Sequence, residues 1–179
     1  MIDIVFFRIA DAIIRYLRKL KVRSTIACQH NNFHVVGPIT IINRNISLGN
    51  NVTIYPGVMF WGDGPIIIGD NVSIGNHTII YSSRQGGIII GNDTQIAAQC
   101  YIIDMDHGMN RNETISCQKN TVAKIIIGDD CWLGANVTVL KGSVIGQGAV
   151  VGAKSLVRGK IEAYTINVGI PSRKIKDRI

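Results

Sequence analysis

Aromatic side chains are scarce in this chain. They make up 6% of 179 residues against 46% hydrophobic overall, so a core must be built from aliphatics and suits an interior too narrow for large rings. CxxC spacing is also missing. The four cysteines, Cys28, Cys100, Cys117 and Cys131, are scattered and no secretory leader stands beside them, which argues against a disulfide framework or zinc knuckle and for a reducing, cytoplasmic setting. Long uncharged apolar runs are absent as well: Asp3, Arg8, Asp11, Arg15 and Arg18 interrupt the most apolar stretch, near the start of the sequence, so it reads neither as a membrane span nor as a signal peptide. Finally, the basic run Arg173, Lys174, Lys176, Arg178 has no aromatic neighbour on which a base could stack. The net charge of +7 therefore suits a phosphorylated ligand or anionic lipid better than nucleic acid.

What the sequence does have is a beat of six. Aliphatic or aromatic residues recur at Val36, Ile42, Leu48, Ile54, Phe60 and Ile66, and again at Ile127, Leu133, Val139, Ile145, Val151 and Val157. A helix repeats near 3.6 residues and a half-buried strand at 2, so a sustained period of six predicts short strands bending at regular corners, a hexapeptide-repeat parallel β-helix over residues 25–165. Four residues after each beat the side chain is small: Val52, Val72, Thr78, Thr94, Cys100, Cys131, Val137, Ser143, Ala149 and Ser155. This register turns Cys100, Cys131, Ser143 and Ser155 inward and removes them as nucleophile candidates.

Ahead of the repeats, Ile2, Val5, Phe6, Ile9, Ile13, Tyr16, Leu17 and Leu20 fall at helical spacing, predicting an amphipathic helix over residues 1–24. It can cap the open end of the coil, or lie on a membrane surface with Arg15, Arg18, Lys19, Lys21 and Arg23 at its basic end. Residues 166–179 read as a basic C-terminal tail.

The beat slips between Ile66 and Ile68 and between Ile80 and Ile90, and is lost from Ile102 to Ile127. Insertions in a solenoid collect on its binding face, so the predicted protruding loop at 103–124 is the place to look for chemistry. It holds His107, between Asp104 and Asp106 on one side and Gly108 on the other. Imidazole gains and loses a proton near neutral pH, and a carboxylate can orient its ring. Outside this loop, Trp132 follows the inward Cys131 and so points outward, where an indole needs cover from a subunit or a ligand.

The segment Tyr101-Ile-Ile-Asp-Met-Asp-His-Gly, followed by Ile125-Ile-Ile-Gly-Asp-Asp-Cys-Trp-Leu-Gly-Ala-Asn-Val and by the Gly-Ile-Pro-Ser-Arg tail, resembles the maltose, galactoside and capsular-polysaccharide O-acetyltransferase group of the hexapeptide-repeat acyltransferases. The resemblance covers about residues 48 to 176. It implies a left-handed coil, a homotrimer, acetyl-CoA as co-substrate and no metal. His107 would be the general base, Asp104 the first choice to orient it and Asp106 the second, with Asp106, Asn76 and His77 available to a sugar or glycan acceptor. The donor would meet Trp132, the backbone of Ala135 and Ala153, and the cations Lys154, Arg158, Arg173 and Lys176, which suit its phosphates. Two departures from the pattern touch the donor side: Lys141-Gly142 stands where Pro-Gly is usual, and Gly159-Lys-Ile-Glu-Ala-Tyr lacks the usual prolines.

The activity so implied is O-acetylation of a sugar hydroxyl in lipopolysaccharide, O-antigen or capsule assembly, at the cytoplasmic side and peripheral to the membrane if the helix binds there. N-acetylation of a nucleotide-linked amino sugar would use the same base. A zinc carbonic-anhydrase-like site needs three histidines; the chain has His30, His34, His77 and His107, and the paired histidine that such a family would place near position 112 is Asn112. A non-catalytic binding solenoid would need neither His107 in an insertion nor an outward Trp132.

Overall fold

The computed structural model describes residues 2–28 and 32–179; His30 lies outside the described residues. A single helix, α1 (Ile2–Thr25), precedes a parallel β-solenoid of about seven turns. Three sheets wall the coil. The first stacks Ala27–Cys28, Ile46–Leu48, Ile66–Ile68, Ile88–Ile90, Ile125–Ile127, Val144–Ile145 and Lys160–Ile161. The second runs from Phe33–Val35 through Val52–Ile54, Ser73–Ile74, Gln95–Ile96, Trp132–Leu133 and Val150–Val151 to Thr165–Gly169, and the third from Thr40–Ile41 through Met59–Gly62, Ile79–Ser82, Tyr101–Ile103 and Thr138–Val139 to Leu156–Val157. The strands named here pair parallel with one another from coil to coil, so each coil repeats the last with its side chains in file.

The beat residues from Leu48 to Val157 are buried in the central core, and so are all ten small residues of the second inward position. Two of the three corners are built alike. Between the first and second sheets, Asn51, Asn71, Asp93 and Asp130 adopt the left-handed conformation, which Asn and Asp tolerate best among residues with a Cβ. Their side chains form a ladder: Asn51 Nδ2 donates to Asn71 Oδ1 at 3.0 Å and Asn71 Nδ2 to Asp93 Oδ1 at 2.9 Å. Gly91 is required nearby, since a Cβ there would lie 2.4 Å from Asp129 Oδ1. Between the second and third sheets the left-handed residues are His77, Gln99, Asn136 and Lys154, each donating its N–H to the corner of the preceding coil.

The third corner, from the third sheet back to the first, is irregular. Successive inward residues across it are 8 apart from Phe60 to Ile68, 10 from Ile80 to Ile90 and 25 from Ile102 to Ile127, against 6 at the other corners between Leu48 and Val157. One extra residue here also corrects the start of the beat. Val36 and Ile42 were expected inward but are 45% and 50% exposed; Val35 is buried and Ile41 packs on the core instead. The cause is Asn43, wholly buried in that corner, which accepts from the Asn45 N–H at 2.7 Å and donates to the Gly64 carbonyl at 2.8 Å.

Both ends depart from the expected division. The boundary at 165/166 falls inside a strand: Thr165–Gly169 pairs antiparallel with Ser172–Asp177, so the basic tail folds back and finishes the second sheet. At the other end the C-terminal part of α1 packs on the coil through buried Val22, with Ile26 buried just beyond the helix, Arg18 donating to the Val36 carbonyl at 3.4 Å and Lys19 Nζ 5.1 Å from the Phe33 ring centre. Ile9, Ile13, Tyr16, Leu17 and Leu20 remain exposed on the helix.

Candidate active site

The long insertion at the third corner is a built structure. Met105–Asp106 pairs antiparallel with Thr121–Val122 to make its stem. Beyond the stem Gln118 ties the loop, its Oε1 accepting from the Asn110 N–H at 2.7 Å and its Nε2 donating to the carbonyls of Asn110 and Glu113, both at 2.8 Å. Gly108 is buried against it, and a Cβ on Gly108 would meet Gln118 Cβ at 2.6 Å. His107 is therefore carried between a strand and a staple. Sequence reasoning missed Gln118, because a lone glutamine in a polar stretch carries no pattern.

His107 is exposed and lines a cleft of about 1050 Å³ with Tyr81, Tyr101, Asp106, Lys141 and Arg158. Burial, and secondarily the neighbouring Tyr81, push the Tyr101 hydroxyl above its ordinary range, so it stays a neutral donor at physiological pH. Asp106 faces Lys141, with Nζ 3.6 Å from Oδ2. Lys141 is one of the two departures from the family pattern, and it joins the loop stem to the next coil through this ion pair.

Asp104 was expected to orient the His107 ring, and the structure corrects this. It is wholly buried. Its Oδ1 accepts from the Ser83 N–H at 2.8 Å and the Ser83 hydroxyl at 3.0 Å, and its Oδ2 from the Ser82 hydroxyl at 2.9 Å and the Gly87 N–H at 2.7 Å. A carboxylate has about four acceptor positions, and all are used. Asp104 clamps the smaller insertion of the preceding coil and leaves nothing for an imidazole.

The remaining expected residues lie elsewhere. Trp132 is 55% exposed on the outer face of the second sheet, paired across the ladder with Gln95 and Val150. It lines a shallower cleft of about 300 Å³ with Tyr55, Asn76 and Gln95, which shares no lining residue with the His107 cleft. Asn76 thus sits with the tryptophan and not with the histidine. His77 occupies a left-handed corner position, its ring over Gly57. Ala135 and Ala153 stack at the same corner, where the Lys154 N–H donates to the Ala135 carbonyl at 2.8 Å. Arg173 and Lys176 are exposed on the returning strand, opposite Val168 and Ile166. Beside Arg173, Ser172 Oγ is buried without a hydrogen-bond partner in a pocket with Lys160 and Lys174. Glu162 lines the same pocket, and Lys174 is already paired with Glu162 at 3.5 Å and with Asp177 at 2.8 Å. Of the donor cations only Arg158 reaches the His107 cleft.

The two core thiols do not compete with His107. Burial pushes Cys100 and Cys131 up to about 11 each, leaving them protonated and inert. Among the described residues no three His, Cys, Asp or Glu side chains gather as a metal cage would need.

Known proteins resemble the chain along most of its length. Residues 124–159 match the family described as bacterial transferase hexapeptide (six repeats), and residues 65–103 the hexapeptide repeat of succinyl-transferase. WbbJ of Escherichia coli, whose name places it in lipopolysaccharide biosynthesis as an O-acetyl transferase, is 37% identical over 74% of this chain and 71% of its own. The dTDP-4-amino-4,6-dideoxy-D-glucose acyltransferase of Escherichia coli is 31% identical over 75% of this chain and 72% of its own. Among solved structures, AntD, an N-acyltransferase from Bacillus cereus in complex with dTDP and 3-hydroxybutyryl-CoA, superposes with a TM-score of 0.76 at 26% identity, covering 91% of this chain and 88% of that one. A coil whose sides repeat every six residues, a stapled histidine in its long insertion and relatives matched over three-quarters of the sequence make this chain a member of the hexapeptide-repeat acyltransferase family.

Proposed function

We propose that the protein transfers acetyl from acetyl-CoA to a hydroxyl of a sugar in surface-polysaccharide assembly, with His107 as general base. The observation that carries this reading is His107 itself, exposed in a large cleft and fixed between the loop stem and Gln118. Acetyl-CoA supplies the reactive thioester carbonyl. His107 takes the proton of the acceptor hydroxyl as its oxygen attacks the thioester carbonyl. The C–S bond then breaks and coenzyme A leaves as the thiol, with the proton handed on by His107, so no covalent enzyme intermediate is needed. Tyr101, a neutral donor in the same cleft, is placed to hydrogen-bond the acceptor. An amine could be acylated by the same base, and the relatives acting on a dTDP-linked amino sugar favour keeping this second reading.

The separation of the two clefts supports the homotrimer. His107 and Trp132 lie in different clefts of one chain, and the loop tip carries Met109 and Ile115 largely exposed. A neighbouring copy that covers both apolar groups would bring one chain's tryptophan to another's histidine. The exposed stripe of α1, flanked by Lys21 and Arg23, supports peripheral contact with the inner face of the cytoplasmic membrane, although no described helix is long and apolar enough to cross one.

Calorimetry with acetyl-CoA on the wild type and on Arg173→Glu at matched salt tests the donor side: binding weakened by the charge reversal is expected. No binding at millimolar acetyl-CoA would overturn the reading. Offering hydroxyl and amine forms of the same sugar then separates O- from N-transfer.

A further inference from the structure

Along the outer face of the third sheet, the register sets Trp61 directly against Tyr81, and Tyr81 against Ile103. Tyr81 and Ile103 already line the His107 cleft. Trp61 is 40% exposed, one coil further from the histidine, about 4.8 Å per coil along the stack. Its backbone is pinned on both sides: the Trp61 carbonyl accepts from Asn43 Nδ2 at 3.4 Å, and the Gly64 and Asp63 N–H groups bond the Ser82 carbonyl at 2.9 and 3.0 Å. Two residues beyond Trp61, Asp63 meets Arg84 at 3.0 Å with both side chains largely exposed.

We infer that Trp61 and Tyr81, edged by Asp63 and Arg84, are an extended acceptor subsite on which pyranose rings of a glycan stack while the hydroxyl to be modified lies at His107. The inference rests on the proposed transfer to a sugar and names its acceptor class as an oligo- or polysaccharide rather than a free monosaccharide. Three features favour this occupant. The flat faces of sugar rings are apolar and match exposed aromatic faces. Asp63 and Arg84 supply acceptors and donors in the plane where ring hydroxyls project. The strip is also continuous with the cleft, so one chain of rings can run from Trp61 to His107 along a single sheet face. A free phosphate or nucleotide would instead seek an unpaired cation, and Arg84, the cation at this strip, is already paired with Asp63 at 3.0 Å.

The test uses the full-length protein, acetyl-CoA and the host's surface polysaccharide, de-O-acetylated with mild alkali and cut to single-repeat and multi-repeat fragments. Trp61→Ala is expected to raise KM for the multi-repeat fragments by about ten-fold, the size of one aromatic stacking contact, while leaving kcat and the single-repeat KM near wild type. Trp61→Phe should recover most of the loss. Equal effects on long and short fragments, or none, would overturn the subsite while leaving the transferase reading standing. Saturation-transfer NMR of the same fragments on wild type and Trp61→Ala gives a readout that does not need turnover. Binding that depends on Trp61 without any acetyl transfer would overturn the transferase reading and keep the subsite. Absence of fragment binding by the wild type would overturn the subsite.

Discussion

Two kinds of corner hold the same coil together, and they differ in what their sequences are free to do. From Leu48 onward the corner carrying Asn51, Asn71 and Asp93 keeps a constant length, and Asn51 bonds Asn71 and Asn71 bonds Asp93 from coil to coil. The third corner has no such ladder, and its spacing runs from 6 residues to 25. Everything assigned to chemistry on the acceptor side, His107, Asp106, Tyr81, Trp61 and the Gln118 staple, lies in or next to this corner. A solenoid thus keeps its stability in the corners that must match from coil to coil and builds its site in the one that need not.

Lengthening the two kinds of corner should have opposite results. Inserting Gly-Gly after Asn136, in the left-handed corner whose N–H bonds the Ala98 carbonyl at 3.0 Å, pushes Thr138–Val139 out of register with both neighbours and should abolish cooperative thermal unfolding. The same insertion after Asn112 in the loop should leave the melting temperature nearly unchanged, because closure entropy grows only slowly with loop length. Similar losses at both places would show that the loop is as tightly coupled to the coil as the regular corners.

Within the irregular corner, His107→Ala should lower turnover by about 10²–10⁴-fold with the melting temperature unchanged. Near-normal activity would remove His107 from the base role. Asp104→Ala separates the two acids of the motif. It leaves the buried Gly87 N–H and the half-buried Ser83 N–H without their acceptor, at about 1–3 kcal/mol each, while the Ser82 hydroxyl keeps the Pro65 carbonyl at 3.1 Å, so thermal denaturation should show a drop on the order of several degrees. The pH profile of kcat should keep its midpoint, since the carboxylate does not reach His107. A shifted midpoint with unchanged stability would restore Asp104 to the orienting role.

The smallest effect concerns the thiols. In a Cys28→Ser background, exposed Cys117, whose pKa is lowered by the Thr114 and Ser116 hydroxyls, should label quickly at pH 8 while Cys100 and Cys131 stay silent until unfolding. Both buried thiols titrate near 11 when folded against 9 in the open chain. The folded state therefore holds protons that the unfolded chain releases, and their contribution to stability is complete below about pH 9 and lost as pH rises through 11. Melts of Cys100→Ala should show a shallower alkaline decline than the parent. An equal decline would mean that other groups set the alkaline limit.

The sequence by itself determined the coil, because a parallel solenoid must turn one residue in six inward and a small one four places later, and that constraint is local enough to read from spacing alone. It also located the insertion and its histidine, because a lost beat is visible without coordinates. Tertiary structure decided what spacing cannot express. The roles of Asp104 and Asp106 differ although only Met105 separates them, since Ser82, Ser83 and Gly87 reach one from the preceding coil and Lys141 reaches the other from the following one. The start of the register and the alignment of Trp61 with Tyr81 depend on contacts between coils, where residues about 20 positions apart become neighbours. The Gln118 staple and the fold-back of Arg173 and Lys176 are local pairings that no repeat marks in the sequence.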